Sequence, residues 1–275
     1  MPNVDLDGAL AISPFRKIAL GTWETTYDPT IYGTMRLRMD KAVDYIAKFR
    51  EKHGKKVTVT HLVTKALALA LKECPEANGV LRWNRIYKRK RIDISLLVLM
   101  TADGKADLSS AKIMDADQKS LVQIVDEVEE RARKIRERKD KDLEKTRQSM
   151  KWVPFLFMNR FLKILSFLLY TLNLDLRWLG LPRDPFGSAI VTSIGSIGLE
   201  VAYVPLSPYT RVPMFVAPGE ITDEPVIDDG KIVPAKLMNV NATFDHRLID
   251  GAHAAVLSRT LRKVLENPFE HLDPL

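Results

Sequence analysis

One short stretch of the sequence combines side chains that could move protons. Residues 243–255 read TFDHRLIDGAHAA, which places His246 between an aspartate and an arginine and puts an Asp-Gly pair at 250–251. An unperturbed histidine gains or loses its proton near neutral pH, so His246 is a candidate general base. An isolated histidine is more often a structural residue, so the surrounding sequence must decide between these two interpretations.

The segments that flank His246 are predicted to form a strand and a helix. Residues 235–244 have a strand-like pattern, whereas apolar residues at helical spacing predict a helix over 252–265. His246 would then lie in a strand-to-helix loop, a position where enzymes often carry reactive side chains.

The rest of the chain also alternates between helical and strand patterns. Helices are predicted over 13–26, 40–54, 57–71 and 118–150, the last of these highly charged. Further strands are predicted over 30–39, 92–101, 188–194 and 212–217. This order predicts an α/β fold, a two-layer sandwich in which helices pack on a mixed β-sheet.

Length and composition predict a single domain. The chain has 275 residues, 46% of them hydrophobic, and contains no linker rich in Pro, Gly or Ser. We expect an N-terminal arm over 1–12, a domain over 13–275, and within it an apolar helical insertion at about 151–183.

The single cysteine, Cys74, fits a reducing cytoplasm and is predicted to pack at a helix end. The first residues lack a signal-peptide pattern, so we expect a cytoplasmic protein.

The chain is basic, with a formal net charge of +7. Such a charge suits a polyanionic partner, either nucleic acid or a phosphate-bearing cofactor. The densest basic cluster, residues 88–91, is most simply a solubilising turn. Because no nucleic-acid-binding motif accompanies it, we expect no nucleic-acid partner.

The motif around His246 resembles that of a known enzyme family. DHRLIDG, residues 245–251, is similar to the Asp-His-Arg-x-x-Asp-Gly signature of the dihydrolipoamide acyltransferases of 2-oxoacid dehydrogenase complexes. Chloramphenicol acetyltransferase shares their fold and part of that signature. Further similar segments are SPFRKIA (13–19), VTVTHLVTKALALALKECPEAN (57–78), DADQKSL (115–121) and LRKVLENP (261–268). Together they place roughly three quarters of the chain within the resemblance.

The resemblance implies a fold, a reaction and roles for particular residues. The fold would be that of chloramphenicol acetyltransferase, and the reaction acyl transfer between coenzyme A and a dihydrolipoyl-type thiol. His246 would be the general base, and GSAIVTSIGSIG, residues 187–198, aligns Thr192 as the donor to the oxyanion. Asp250 completes the site and, tied to Arg16 of the first helix, would support its structure without transferring a proton.

Other implications concern the neighbours of His246 and the partners of the chain. Gly251 would permit a tight turn, whereas Arg247 could pair with Asp245 or contact another chain. His246 of one chain would face Thr192 of the next, so we expect a homotrimer or a multiple of trimers. No metal is expected, and the lipoyl group would arrive in trans on another protein.

Two segments depart from the family pattern. In residues 104–113 the family is usually apolar, whereas this chain would place Lys105 and Asp107 near the substrate channel. Such charges could serve a different thiol or mark a loss of activity. The alternative function is therefore a non-catalytic assembly core with the same fold.

The second departure is the apolar segment 152–181. It is long enough to span a bilayer, but Arg160 and Lys163 near its centre would each cost about 2.5–3.5 kcal/mol there. With Asn159 they form one polar stripe on a helix. We therefore predict an amphipathic hairpin docked on a neighbouring chain, with contact to a membrane surface as the alternative.

Overall fold

The computed structural model describes residues 2–9, 29–102, 105–137, 139, 154 and 157–275, with backbone alone over 99–102 and 105–108. Outside these residues lies the predicted helix 13–26, which contains Arg16. Residues 138 and 140–150 of the predicted helix 118–150 also lie outside them. No helix in the described ranges is long and apolar enough to cross a membrane.

Six strands form one mixed β-sheet. They are β2 (Thr30–Arg38), β5 (Ile94–Ala102), β6 (Lys105–Ile113), β7 (Ala189–Val191), β8 (Met214–Asp228) and β9 (Lys231–Asp245). Their order across the sheet is β2-β9-β8-β7-β5-β6. Strand β7 runs parallel to β5 and β8, and the other pairs are antiparallel. The predicted mixed sheet is thus confirmed.

The described residues also form six α-helices. They are α1 (Asp40–His53), α2 (Val59–Glu73), α3 (Leu121–Arg136), α4 (Met158–Ser166), α5 (Gly251–Glu266) and the short α6 (Pro268–His271). The main core joins α1, α2, α3 and α5 to the sheet through buried apolar side chains such as Phe49, Leu67, Ile124, Val216 and Leu265. Burial of these apolar surfaces is the main force that holds the helices on the sheet.

The β8–β9 hairpin is longer than its pattern predicts. Its two-residue turn, Asp229-Gly230, has positive φ at both positions, which is the turn that suits the twist of a hairpin. Near this turn Ile227 and Ile232 are exposed, so the outer hairpin lacks the apolar alternation that predicts a strand. The predicted strand 212–217 was therefore too short.

A second, smaller sheet contains three strands that the sequence analysis missed. Strands β1 (Leu6–Ala9), β3 (Gly79–Arg82) and β4 (Arg85–Arg89) pair in the order β1-β4-β3. Strand β1 includes residues of the predicted N-terminal arm, and the preceding Val4 is buried, so this segment is part of the packed structure. The interpretation of residues 88–91 as a solubilising turn was wrong for Arg89, which is buried and pairs with Asp184.

Within its described residues, 154 and 157–183, the insertion forms one α-helix followed by irregular structure, and these residues do not form the predicted hairpin. Helix α4 continues into a π-helical turn over Phe167–Thr171 and a 3₁₀ turn over Arg177–Leu179. Its inner face packs on this chain, in a buried cluster of Val4, Val80, Leu165, Leu169, Tyr170 and Leu176. The apolar face that we expected to dock on a neighbouring chain is therefore partly covered within the chain.

Candidate active site

His246 lies immediately after β9, at the predicted strand-to-helix junction. The backbone N–H of His246 donates to the carbonyl of Pro29 at 2.8 Å, which extends the pairing of β9 beyond its last residue. The side chain is half-buried, and its Nδ1 lies 2.9 Å from the carbonyl oxygen of Ile249. A carbonyl only accepts hydrogen bonds, so Nδ1 must carry the proton in this contact. In the neutral ring Nε2 then holds the lone pair that a general base uses.

A buried ion pair fixes the backbone on both sides of His246. The guanidinium of Arg247 donates to Asp245 through Nε at 2.9 Å and Nη2 at 2.7 Å, and both side chains are 3% exposed. The backbone N–H of Arg247 also donates to Asp245, at 3.0 Å. Of the two alternatives for Arg247, the structure shows pairing with Asp245. Such forked, charge-assisted contacts hold a turn in one geometry.

Asp250 begins helix α5 as its N-cap. Its Oδ1 accepts hydrogen bonds from the backbone N–H groups of Ala252 at 3.0 Å and His253 at 3.1 Å, and lies 2.6 Å from the Nδ1 of His253. These contacts fit a structural role, because a carboxylate at this position satisfies N–H groups that the helix leaves unpaired. The expected partner Arg16 lies outside the described residues.

Gly251 does not have the role that the motif suggested. Its φ is outside the left-handed region, and an added Cβ would meet no atom of the described residues within 4 Å. The turn into α5 therefore does not require glycine within the described part of the chain, and the expectation of a tight glycine turn was wrong.

Arg211 connects the insertion to the region around His246, a link that the sequence analysis missed. Its Nε donates to the hydroxyl of Ser166, the last residue of α4, at 3.0 Å. Burial lowers the pKa of Arg211, and the charge of nearby Arg247 lowers it further, while Asp245 opposes the change. The insertion thus contacts the residues that surround the buried ion pair. This contact cannot be read from the sequence, since its two partners are 45 positions apart along the chain.

Thr192 is the first residue after β7. Its backbone N–H donates to the carbonyl of Val216 at 3.0 Å, and its side chain is half-buried. The predicted strand 188–194 is shorter than expected, since β7 ends at residue 191. Thr192 consequently lies where the chain leaves the sheet, and its hydroxyl can serve as a hydrogen-bond donor.

Close backbone packing holds the loop after Thr192 against β8. A Cβ added to Gly195 would lie 2.3 Å from the carbonyl oxygen of Gly219, closer than any side chain tolerates. The buried amide of Asn241 donates to Ala217 and Glu200, which ties the same loop to β9. Sequence analysis missed Asn241, because a polar residue in a strand usually faces solvent.

Within one chain, His246 and Thr192 lie apart. The parallel register of β7 and β8 pairs Val191 with Val216, and β8 pairs Ala217 with Asn241. Thr192 is therefore level with Asn241, five residues before His246 on β9. At about 3.4 Å per residue this separates the two by roughly 17 Å along the strands. One chain does not bring both side chains to the same reacting group.

The altered segment 104–113 includes the sheet-edge strand β6. The structure pairs Lys105 with Ala102 and Asp107 with Met100 along β5. Their side chains are not among those described, so their proximity to a substrate channel stays a prediction.

Cys74 is buried and follows the last residue of α2, as predicted. Its Sγ, a carboxylate oxygen of Glu76 and a ring nitrogen of His253 lie within 4.8 Å of one another. Structural zinc sites usually have four such ligands. These three groups are the candidates for metal binding that the described residues offer.

The chain matches a known family of catalytic domains. The model of the 2-oxoacid dehydrogenases acyltransferase (catalytic domain) matches residues 12–149 and 186–272, leaving out the whole insertion. A similar curated protein is the dihydrolipoyllysine-residue acetyltransferase component of the pyruvate dehydrogenase complex of Rhizobium meliloti (strain 1021). It is 27% identical over 221 residues, which are 79% of this chain and 39% of that protein. The chain thus spans less than half the length of this relative.

Solved structures show the same fold. The cubic core of the pyruvate dehydrogenase multienzyme complex aligns with a TM-score of 0.64 at 19% identity, covering 96% of this chain and 94% of that one. Chloramphenicol acetyltransferase aligns with a TM-score of 0.50 at 12% identity, covering 94% of this chain and 100% of that one. The predicted fold resembling chloramphenicol acetyltransferase is confirmed.

Proposed function

This chain belongs to the 2-oxoacid dehydrogenase acyltransferase family, and we propose that it transfers an acyl group between coenzyme A and a dihydrolipoyl-type thiol. The observation that carries this proposal is the contact between Nδ1 of His246 and the carbonyl of Ile249. It orients the ring and places the proton on Nδ1, so that Nε2 is the basic nitrogen.

In the proposed reaction His246 moves one proton twice. Its Nε2 takes the proton of the attacking thiol, and the thiolate forms a bond to the carbonyl carbon of the thioester. The tetrahedral intermediate then expels the other sulfur, which takes the proton back from the imidazolium. A base positioned in this way contributes about 10² to 10⁴ in rate.

Thr192 is proposed to donate its hydroxyl to the oxyanion of the tetrahedral intermediate. Removing one such donor typically lowers the rate by about 10² to 10³. Asp245, Arg247 and Asp250 have no proton-transfer role in this scheme. They hold the turn and the start of α5 that position His246.

We propose that the complete site forms between two copies of the chain, in a homotrimer. The separation of about 17 Å along the strands supports this arrangement, since His246 needs a Thr192 from another copy. Ile197, Leu199 and Val201, which follow Thr192 closely in sequence, are exposed apolar residues that a neighbouring copy could cover. A similar solved structure is named as the cubic core of a multienzyme complex.

The substrates are proposed from the relatives and from charge. The similar Rhizobium meliloti protein is named for acetyl transfer to a dihydrolipoyllysine residue. We propose that the lipoyl group reaches this chain in trans, on another protein. The net charge of +7 suits the phosphates of coenzyme A.

Mixed trimers test this proposal directly. We expect His246→Ala and Thr192→Ala to be inactive separately, because every interface lacks one of the two groups. Random mixing of the two variants restores an intact pair at about a quarter of the interfaces of a ring. The measurement is thiol acylation from acetyl-coenzyme A to free dihydrolipoamide before and after co-refolding.

Mixing His246→Ala with His246→Gln is the matched control, since no interface in those trimers contains the base. A site shared between chains would be contradicted if His246→Ala and Thr192→Ala formed mixed trimers that did not regain activity. Full activity of either single variant would contradict the role assigned to that residue.

A further inference from the structure

The outer surface of the insertion is unusually apolar. Several large apolar side chains in or beside it are exposed, and we call this surface the insertion patch: Trp83, Phe157, Ile164, Phe167, Leu172, Leu174, Trp178 and Leu179. Scattered apolar side chains are normal on a protein surface, whereas a concentration such as this one marks an interaction site.

Side-chain contacts join the insertion to the β3–β4 hairpin. The rings of Trp83 and Phe167 pack edge to face, with centroids 5.9 Å apart. Arg82 Nε donates to the carbonyl of Thr171 at 3.0 Å. The hairpin and the π-helical turn after α4 therefore present their apolar groups together.

Trp83 has a strained backbone conformation that packing within the chain does little to offset. It lies in the two-residue turn between β3 and β4 with φ of 49°. Asn or Gly is preferred in such turns, and a bulky residue there strains the backbone. Trp83 is 62% exposed, so burial of its side chain within the fold compensates little for this strain. Strain of this kind is often maintained at functional positions.

Basic side chains lie among the apolar ones. Residues 79–91 contain six basic and no acidic side chains, five of them besides Arg89, which is buried against Asp184. Residues 157–180 contain three basic side chains and a single acid, Asp175, which pairs with Arg177. On α4 the exposed stripe carries Arg160 and Lys163 beside Ile164. Neither of these two basic residues forms an ion pair with another described residue.

We propose that the insertion patch binds the surface of a membrane that contains anionic phospholipids. Apolar and aromatic groups would enter the boundary between headgroups and acyl chains, while Arg160 and Lys163 meet phosphate groups. A second copy of the chain fits less well, because a protein interface would bury these two charges at its centre, where charged residues are depleted. This inference is independent of the proposed acyl transfer.

Vesicle flotation of the whole chain tests the proposal. We expect the native chain to float with vesicles of phosphatidylcholine mixed with phosphatidylglycerol, and to bind pure phosphatidylcholine more weakly. Binding should weaken as salt rises, since salt screens the attraction between exposed charges.

Two double variants separate the electrostatic and apolar contributions. Arg160→Gln with Lys163→Gln should lower the partition coefficient on anionic vesicles about 25-fold, or fivefold for each charge. Ile164→Ser with Phe167→Ser should lower it at least tenfold. The matched control, Ile227→Ser with Ile232→Ser, removes two even more exposed apolar side chains at the β8–β9 turn and should leave binding unchanged.

Two results would overturn the proposal. The first is a native chain that stays with the buffer for both kinds of vesicle. If the patch variants then also changed in oligomeric mass, measured by sedimentation equilibrium, the patch would be assigned to contacts between copies. The second is an equal loss of binding in the control variant.

Discussion

Removal of one partner from the buried pair of Asp245 and Arg247 should destabilise the folded chain strongly. Asp245→Ala removes a carboxylate that accepts hydrogen bonds from the guanidinium at 2.9, 3.2 and 2.7 Å and from a backbone N–H at 3.0 Å. The Arg247 guanidinium stays in a site where its side chain is 3% exposed. Breaking a buried pair from one side typically costs about 3–5 kcal/mol, because a charge is left there without its counter-ion.

An exposed pair provides the comparison. Asp44 and Lys48 of α1 form an ion pair at 2.9 Å with both side chains about half exposed. Asp44→Ala should lower the unfolding free energy by about 0–1 kcal/mol. The assay is urea unfolding followed by circular dichroism, with all proteins at the same concentration, because assembly makes stability concentration-dependent.

A double variant separates the loss of the pair from the charge that is left behind. Asp245→Leu with Arg247→Met replaces both charged groups with apolar ones and should be less destabilised than Asp245→Ala. The penalty assigned to the unpaired charge of Arg247 would be wrong if Asp245→Ala lowered the unfolding free energy no more than Asp44→Ala, or if the double variant were the least stable.

Two further predictions concern pH and the loop after Thr192. Burial lowers the pKa of His61 to about 4, so the stability that its neutral form contributes is complete above pH 6.5 and lost as pH falls through 4. The unfolding free energy should therefore be about 2 kcal/mol lower at pH 5 than at pH 7. His61→Gln should lack this part of the pH dependence. Equal pH dependence of the unfolding free energy in both proteins would contradict the role of His61. Gly195→Ala should lower the unfolding free energy by about 1–3 kcal/mol, and should lower turnover, because the added Cβ would clash with the backbone of Gly219. Gly33→Ala is the control and should lower the unfolding free energy less, because its added Cβ would lie 3.8 Å from the nearest atom, an ordinary contact.

Sequence patterns located the elements around His246 because those elements carry regular periodicities. Apolar spacing correctly predicted the inner part of β9 and most of α5, and hence the loop between them. The motif and its context also led to the family, which the comparison confirmed.

Features that depend on distant contacts could not be predicted in this way. Arg89 looks like part of a charged surface run, but its burial depends on Asp184, 95 residues further along the chain. The same limit applies to Arg211, whose partner lies in the insertion. Local periodicity does not report contacts of this kind.

The roles of Gly251 and Thr192 show two other limits. Gly251 was assigned a tight turn from its residue type, yet its backbone has ordinary φ. Thr192 was selected by alignment alone, and only the strand register showed that it lies far from His246 of the same chain.

The role of His246 in acyl transfer is best tested by comparing the native chain with His246→Ala. The assay measures acyl transfer from acetyl-coenzyme A to free dihydrolipoamide. Sedimentation equilibrium on both proteins controls for assembly. We expect turnover by the native chain and a rate about 10² to 10⁴ lower in the variant, at unchanged oligomeric mass. Equal turnover by the two proteins would contradict the role of His246. No turnover and no coenzyme A binding by the native chain would contradict acyl transfer and favour a non-catalytic assembly core.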